Sequence, residues 1–257
     1  MREMIPLIEA HRGDSSNAPE NTLAAFERAL VLGVPWIELD VHPAKDGTLM
    51  VIHDDTVDRT TDGSGAVSDL SVEHLLRLDA GLKFSSAYAG ERIPRLIDVL
   101  EMVAPTATRI NVEIKSSPPG MDVPQAIVTL LRRFRKQADY VVSSFDLQSL
   151  LGVRAIDSAI ALALIGSAPE ILAHAERHHL PWIHGDRATL TTEAVMRAHA
   201  QGIRVNVWTV DQPERLAYWM GIGVDKICTN RPALMLTAAA KSEGQAGEPN
   251  DDSDTSP

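Results

Sequence analysis

Four short blocks carry the residues that could do chemistry: His11-Arg12-Gly13, Glu38-Leu39-Asp40, His53-Asp54 and Glu113-Ile114-Lys115. Each follows or ends an apolar run that reads as a β-strand. Residues i and i+2 of a strand share a face. Glu38 and Asp40 therefore point one way, with Leu39 and Val41 opposite. Glu113 and Lys115 do the same against Val112 and Ile114. Three acids crowded on buried strands repel one another unless a cation joins them. A hard divalent ion with oxygen ligands is the economical partner, and either Mg2+ or Ca2+ suits such ligands.

Two histidines beside a metal suit a reaction that needs a general acid and a general base, because imidazole titrates near neutrality. Arg12 offers a fixed fork of donors for phosphate oxygens, and Lys115 a point charge. The metal would polarise a phosphoryl group. Together these groups point to phosphoester cleavage. Alone, each block has a blander reading. A single buried histidine is ordinarily a hydrogen-bonded structural residue, and Glu113-Ile114-Lys115 could be one ion pair. The joint pattern is what carries the chemistry. His42 shares strand parity with Glu38 and Asp40 and either lines the mouth or packs. His174, His178, His179 and His199 fall on helical patterns and are assigned to surface or caps.

The elements that must position these residues alternate along the chain. Candidate strands are Ile5–Ala10, Trp36–His42, Arg109–Lys115, Tyr140–Ser143, Ile160–Ile165, Trp182–His184, Ile203–Val207 and Asp225–Cys228. Amphipathic segments lie between them, several opened by start signals such as Thr191, Pro124 and Ser144-Phe145-Asp146. Eight strands separated by helices predict a (β/α)8 barrel over residues 1–240, with its active site at the C-terminal strand ends. Leu49–His53 is a further apolar run. A hairpin centred on Asp46-Gly47, with paired positions summing to about 93, sets His53 near Asp40. Residues 53–92, rich in Asp, Thr, Gly and Ser, predict a small cap after the second strand, with Leu82, Phe84 and Tyr88 as anchors.

The bulk numbers narrow the partners. The chain has 257 residues and a formal net charge of −11. An acidic body argues against nucleic-acid binding driven by phosphate neutralisation. Residues 241–257 are polar and acidic, predicting a disordered tail. One cysteine, Cys228, excludes an intrachain disulfide and is expected to pack as a small apolar residue. No apolar run approaches the ~20 residues of a membrane span, and the start lacks the apolar stretch of a signal peptide. The expectation is a cytoplasmic protein without stable membrane insertion, and an oligomer is compatible with it.

The blocks, taken with Pro19-Glu20-Asn21-Thr22, Lys45-Asp46-Gly47, Asp58-Arg59-Thr60-Thr61, Val207-Trp208-Thr209-Val210 and Thr229-Asn230-Arg231-Pro232, resemble the glycerophosphodiester phosphodiesterases of the bacterial cytoplasmic type. The resemblance spans about Ile5 to Leu236. It implies a (β/α)8 barrel with a small insertion, a divalent metal on Glu38, Asp40 and Glu113, and an acid/base pair at His11 and His53. Phosphate would lie on Arg12 and Lys115, with Trp208 lining the pocket. Glu20 and Asn21 would organise the His11-Arg12 loop. The family often has Asp where Asn230 stands, a position expected to be peripheral. The small-molecule substrate would be a glycerophosphodiester, hydrolysed to sn-glycerol 3-phosphate and an alcohol. Attack by the glycerol 2-hydroxyl through a cyclic phosphate and attack by metal-bound water both remain open, as does which histidine is acid. A lysophospholipid-type phosphodiesterase and a non-catalytic phosphoester-binding barrel are the alternatives.

Overall fold

The computed structural model describes residues 7–115, 117–134 and 140–246. Nine strands form one sheet: β1 (Leu7–His11), β2 (Trp36–Pro43), β3 (Leu49–Val51), β4 (Arg109–Ile114), β5 (Tyr140–Ser144), β6 (Ala161–Gly166), β7 (Trp182–Asp186), β8 (Arg204–Trp208) and β9 (Lys226–Thr229). Eight are parallel and close into a ring, because β1 pairs with both β2 and β9. β3 lies antiparallel on the end of β2. Helices alternate with the strands: α1 (Leu23–Val31), α2 (Val72–Leu75), α3 (Leu96–Val103), α4 (Val123–Phe134), α5 (Leu147–Ile156), α6 (Ala168–His178), α7 (Thr192–Ala200), α8 (Leu216–Ile222) and α9 (Pro232–Ala246). This is the (β/α)8 barrel that the strand–helix rhythm predicts.

Strand alternation divides the interior into two cores. Ile8, Ala10, Ile37, Leu39, Val41, Ile110, Val112 and Ile114 pack outward against helix residues such as Phe26, Val99, Leu100 and Ile127. The opposite parity faces the barrel axis and is polar or aromatic: Glu9, His11, Trp36, Glu38, Asp40, Asn111 and Glu113. Low down, Lys226 pairs with Glu9 and lies 4.2 Å from the Trp36 ring centroid, while Asn206 donates to Glu9 at 2.8 Å.

The start signals act as read. Thr191 caps α7 through Ala194 N, and Asp146 caps α5 by accepting from Gln148 N and Ser149 N. Three details depart from the sequence reading. The β2–β3 register pairs Val41 with Val51 and His42 with Met50, so paired positions sum to one less than expected, and β3 stops before His53. Leu82 and Phe84 are exposed rather than anchoring the insertion. Its apolar centre is instead Met50, Ile52, Val57, Val67, Leu75, Leu78 and Ile93, while Tyr88 ties it to the barrel by donating to Asn17 O. The last helix also continues through Ala246, past the expected boundary at residue 240. Most of the expected acidic tail, 247–257, lies outside the described residues. No helix of the described residues is long and apolar enough to cross a membrane.

Candidate active site

The strand register assembles the acid cluster. β1 pairs His11 with Glu38, and β2 pairs Asp40 with Glu113. Ligand atoms of Glu38, Asp40 and Glu113 all lie within 4.8 Å of one another, and all three residues are buried. Among the described residues, Glu38 Oε1 and Asp40 Oδ1 are buried without a hydrogen-bond partner. Buried acceptors of this kind are costly unless something joins them. A donor set of three carboxylates with unused oxygens fits a hard divalent cation.

Electrostatics support that reading. Burial first, then Asp40 and Glu113, push the Glu38 carboxyl far above its ordinary range. Burial and Asp40 raise Glu113 to about 7. Burial opposes charge on Asp40 as well, yet Arg12 and Lys115 together hold it below the usual carboxylate range. Without a cation the cluster therefore keeps protons on some of its members at neutral pH.

The two cations stand at the rim of this cluster. Arg12 Nε lies 3.2 Å from Asp40 Oδ2, and its Nη1 donates to Glu20 at 2.9 Å. Arg12 adopts φ 58°, which turns the chain sharply after β1. Gly13 follows at φ 81° against α1, where a Cβ would sit 2.6 Å from the Ala25 backbone. Lys115 Nζ reaches Glu113 at 2.8 Å, Asp40 at 3.7 Å and His53 Nε2 at 3.1 Å.

Each histidine is held by its Nδ1. His11 meets Asn230 Oδ1 at 2.7 Å, and its Nε2 faces Glu38 Oε2 at 4.0 Å. Asn230 is itself fixed by donating to Asp211 from its amide nitrogen and its backbone N–H, each at 2.8 Å. Burial, then Arg12, lowers the pKa of His11. His53 meets Asp54 Oδ1 at 2.6 Å. His42 resolves as a packing residue whose Nε2 lies 2.9 Å from His53 O.

A cavity of about 140 Å3 joins these groups, lined by His11, Arg12, Glu38, His53, Glu113, Lys115, Phe145 and Trp208 among others. Trp208 donates from Nε1 to His184 O at 2.9 Å and packs edge-to-face on Phe145. A larger cavity of about 300 Å3 opens at the N-terminal ends of the strands, between Trp36, Trp182 and Arg204.

Sequence reasoning missed three contacts. Asn230, taken as peripheral, touches a site histidine. Asn21 does more than shape a loop: its amide donates to Asp40 Oδ2 at 2.8 Å. Phe145, used only as a helix-start signal, forms a wall of the cavity. Its exposed ring at a strand's C-terminal end is a signal that could have found it.

A family profile described as "Glycerophosphoryl diester phosphodiesterase family" matches residues 11–234. The chain belongs to this family. A glycerophosphodiester phosphodiesterase of Caldanaerobacter subterraneus subsp. tengcongensis is 38% identical over 243 residues, covering 93% of this chain and 99% of that protein. A Bacillus subtilis protein named putative glycerophosphodiester phosphodiesterase YhdW is 35% identical over 234 residues, covering 89% and 96%. A solved structure of an Oleispira antarctica phosphodiesterase, in complex with the product sn-glycerol-3-phosphate, superposes with a TM-score of 0.87 at 28% identity. That alignment covers 92% of this chain and 97% of the other. Membership in a hydrolytic family makes this chain an enzyme of phosphoric diester hydrolysis.

Proposed function

We propose that this chain hydrolyses glycerophosphodiesters to sn-glycerol 3-phosphate and an alcohol, with His11 and His53 as base and acid around a divalent metal. The observation that carries the reading is the buried Glu38–Asp40–Glu113 cluster, whose Glu38 and Glu113 line one cavity with both histidines. The Oleispira antarctica neighbour, which binds sn-glycerol 3-phosphate, supports the substrate class.

Glu38, Asp40 and Glu113 would hold the metal, which supplies Lewis-acid stabilisation of charge on phosphate oxygens. Arg12 and Lys115 sit beside the acids and would bind the same phosphate. The two Nδ1 partners support a division of labour between the histidines. A neutral amide faces His11, while burial and Arg12 oppose its charge. With Nδ1–H donated to Asn230, Nε2 keeps its lone pair and would take the proton of the attacking hydroxyl. A carboxylate faces His53, where Asp54 accepts from Nδ1–H and fixes the orientation of the ring. Lys115, which donates toward His53 Nε2 in this arrangement, would turn to the phosphate; Nε2 would then take a proton from solvent and pass it to the oxygen of the leaving alcohol as the P–O bond breaks. Phe145 and Trp208 would wall off the organic part of the substrate.

The test incubates the protein with glycerophosphocholine and glycerophosphoethanolamine and measures released sn-glycerol 3-phosphate. His11→Ala and His53→Ala are each expected to lower kcat by about 10²–10⁴-fold with circular dichroism and Tm unchanged. Release of choline phosphate in place of sn-glycerol 3-phosphate would favour the other diester cleavage. Near-normal turnover in either variant removes that histidine from the mechanism.

A further inference from the structure

Arg59 lies in the insertion, with its side chain 47% exposed, yet every nitrogen of its guanidinium is committed. Nε donates to Asp54 Oδ2 at 2.7 Å and Nη2 to Asp54 Oδ1 at 3.0 Å. Nη1 donates to Glu20 Oε2 at 2.9 Å and Nη2 to Glu20 Oε1 at 2.7 Å. One planar fork thus grips two carboxylates, a geometry a lysine ammonium cannot copy.

Neither carboxylate is an ordinary surface acid. Asp54 Oδ1 also meets His53 Nδ1, and Glu20 Oε1 also accepts from Arg12 Nη1. Glu20 precedes α1 in the loop after β1, whereas Asp54 and Arg59 follow β3. A single side chain therefore joins the insertion to the barrel loop, between a histidine and an arginine of the site. Hydrogen bonds from Arg59 hold the Asp54 carboxyl well below its usual range. At Glu20, Arg59 and Arg12 together outweigh burial and lower the pKa. Both partners are therefore charged at neutral pH and orient their second contacts as acceptors.

We propose that Arg59 is a positioning residue that couples the orientation of His53 to that of Arg12 through the shared Asp54 and Glu20 carboxylates. The proposal rests on the phosphodiesterase reading above. Its chemical content is specific. With Arg59 in place, Asp54 presents one oxygen to His53 Nδ1 while the guanidinium takes much of its charge. Without Arg59, Asp54 faces His53 with its charge undiminished, and Glu20 can turn away from Arg12. The other groups facing His53 stay in place: Lys115 after β4, and Asp40 and His42 on β2. An exposed ion pair ordinarily adds little to stability, and a purely structural Arg59 would leave catalysis nearly untouched.

The test compares Arg59→Ala, Arg59→Lys and wild type in the metal-loaded full chain. It reads kcat, KM, the pH–rate profile and Tm, with the ¹⁵N signals of the His53 ring recorded without substrate. The expected result for Arg59→Ala is a kcat lowered at least tenfold and a raised KM. The His53 ring signals shift, and Tm changes by only a few degrees. Arg59→Lys recovers less than half of the lost kcat, because it keeps charge but not the double fork. Unchanged His53 signals in Arg59→Ala overturn the coupling whatever the substrate proves to be. A fall in Tm with kcat, KM and pH profile unmoved also overturns it, leaving a clamp for the insertion alone. Wild-type protein inactive on every glycerophosphodiester, with the His53 signals still shifting on substitution, overturns the phosphodiesterase reading and keeps the coupling.

Discussion

The three acids are unequal, and that inequality sets how they take a metal. Asp40 is kept charged by Arg12 and Lys115, whereas Glu38 and Glu113 are pushed upward by burial and by the charge of Asp40. A cation must therefore displace protons from the two raised groups. Since the raised carboxyls are increasingly protonated as pH falls, metal affinity weakens on acidification, and Glu113 at about 7 places the steep region near neutrality. Calorimetric titration of stripped protein at two pH values a unit apart, straddling neutrality, is expected to show an affinity loss of about tenfold per proton displaced. It should also show proton release in buffers of different ionisation enthalpy. Affinity flat with pH would mean that the acids are already ionised. At this scale the acids, the two histidines and the two cations were all legible, since strand parity alone groups Glu38 with Asp40 and Glu113 with Lys115. Asn230 and Asn21 were not. Their contacts run from loops to side chains, and no periodicity announces which amide will face which ring. Asn230 lies 219 positions from His11 in sequence and reaches it only because the barrel closes.

At the scale of elements, all eight parallel strands and the main helices follow from alternation and start signals. The hairpin register came out one residue away from expectation, because β3 is only three residues long and its end is set by the insertion rather than by its own pattern. The insertion's core was the least legible part. Leu82 and Phe84 look like anchors in a polar stretch, but the cluster draws instead on Met50 and Ile52 from the adjoining strand region. A tight element junction is the turn after β1, where Gly13 at φ 81° packs against the backbone of α1. Gly13→Ala adds a Cβ where backbone atoms already stand and strains a left-handed residue. It is expected to destabilise by at least about 2 kcal/mol and to displace Arg12 with it. Urea unfolding measures the first effect, and KM for the diester the second. A neutral outcome in both would show that the turn relaxes freely.

Over the whole molecule, closure of the ring puts the first strand beside the last and buries an ion pair at their junction. Lys226 and Glu9 are both fully buried, with Asn206 completing the acid's contacts and Trp36 and Trp182 flanking the ammonium. Removing one partner strands the other charge. Lys226→Met alone is expected to cost about 3–5 kcal/mol, and the Glu9→Gln, Lys226→Met double variant less than the sum of the singles. Strict additivity in denaturant unfolding would show that the two charges are uncoupled.

The same closed ring brings β1, β2 and β4 together so that a three-acid cluster opens through Glu38 and Glu113 onto a cavity shared with two histidines, and the central claim is that this arrangement cleaves a diester with a divalent metal. Its most direct test strips the protein with a chelator and assays glycerophosphocholine with magnesium, calcium or manganese returned singly. Turnover is expected to fall by at least about a hundredfold on stripping and to return with at least one of the three ions. Full turnover in the stripped protein, with metal analysis showing none bound, would contradict it.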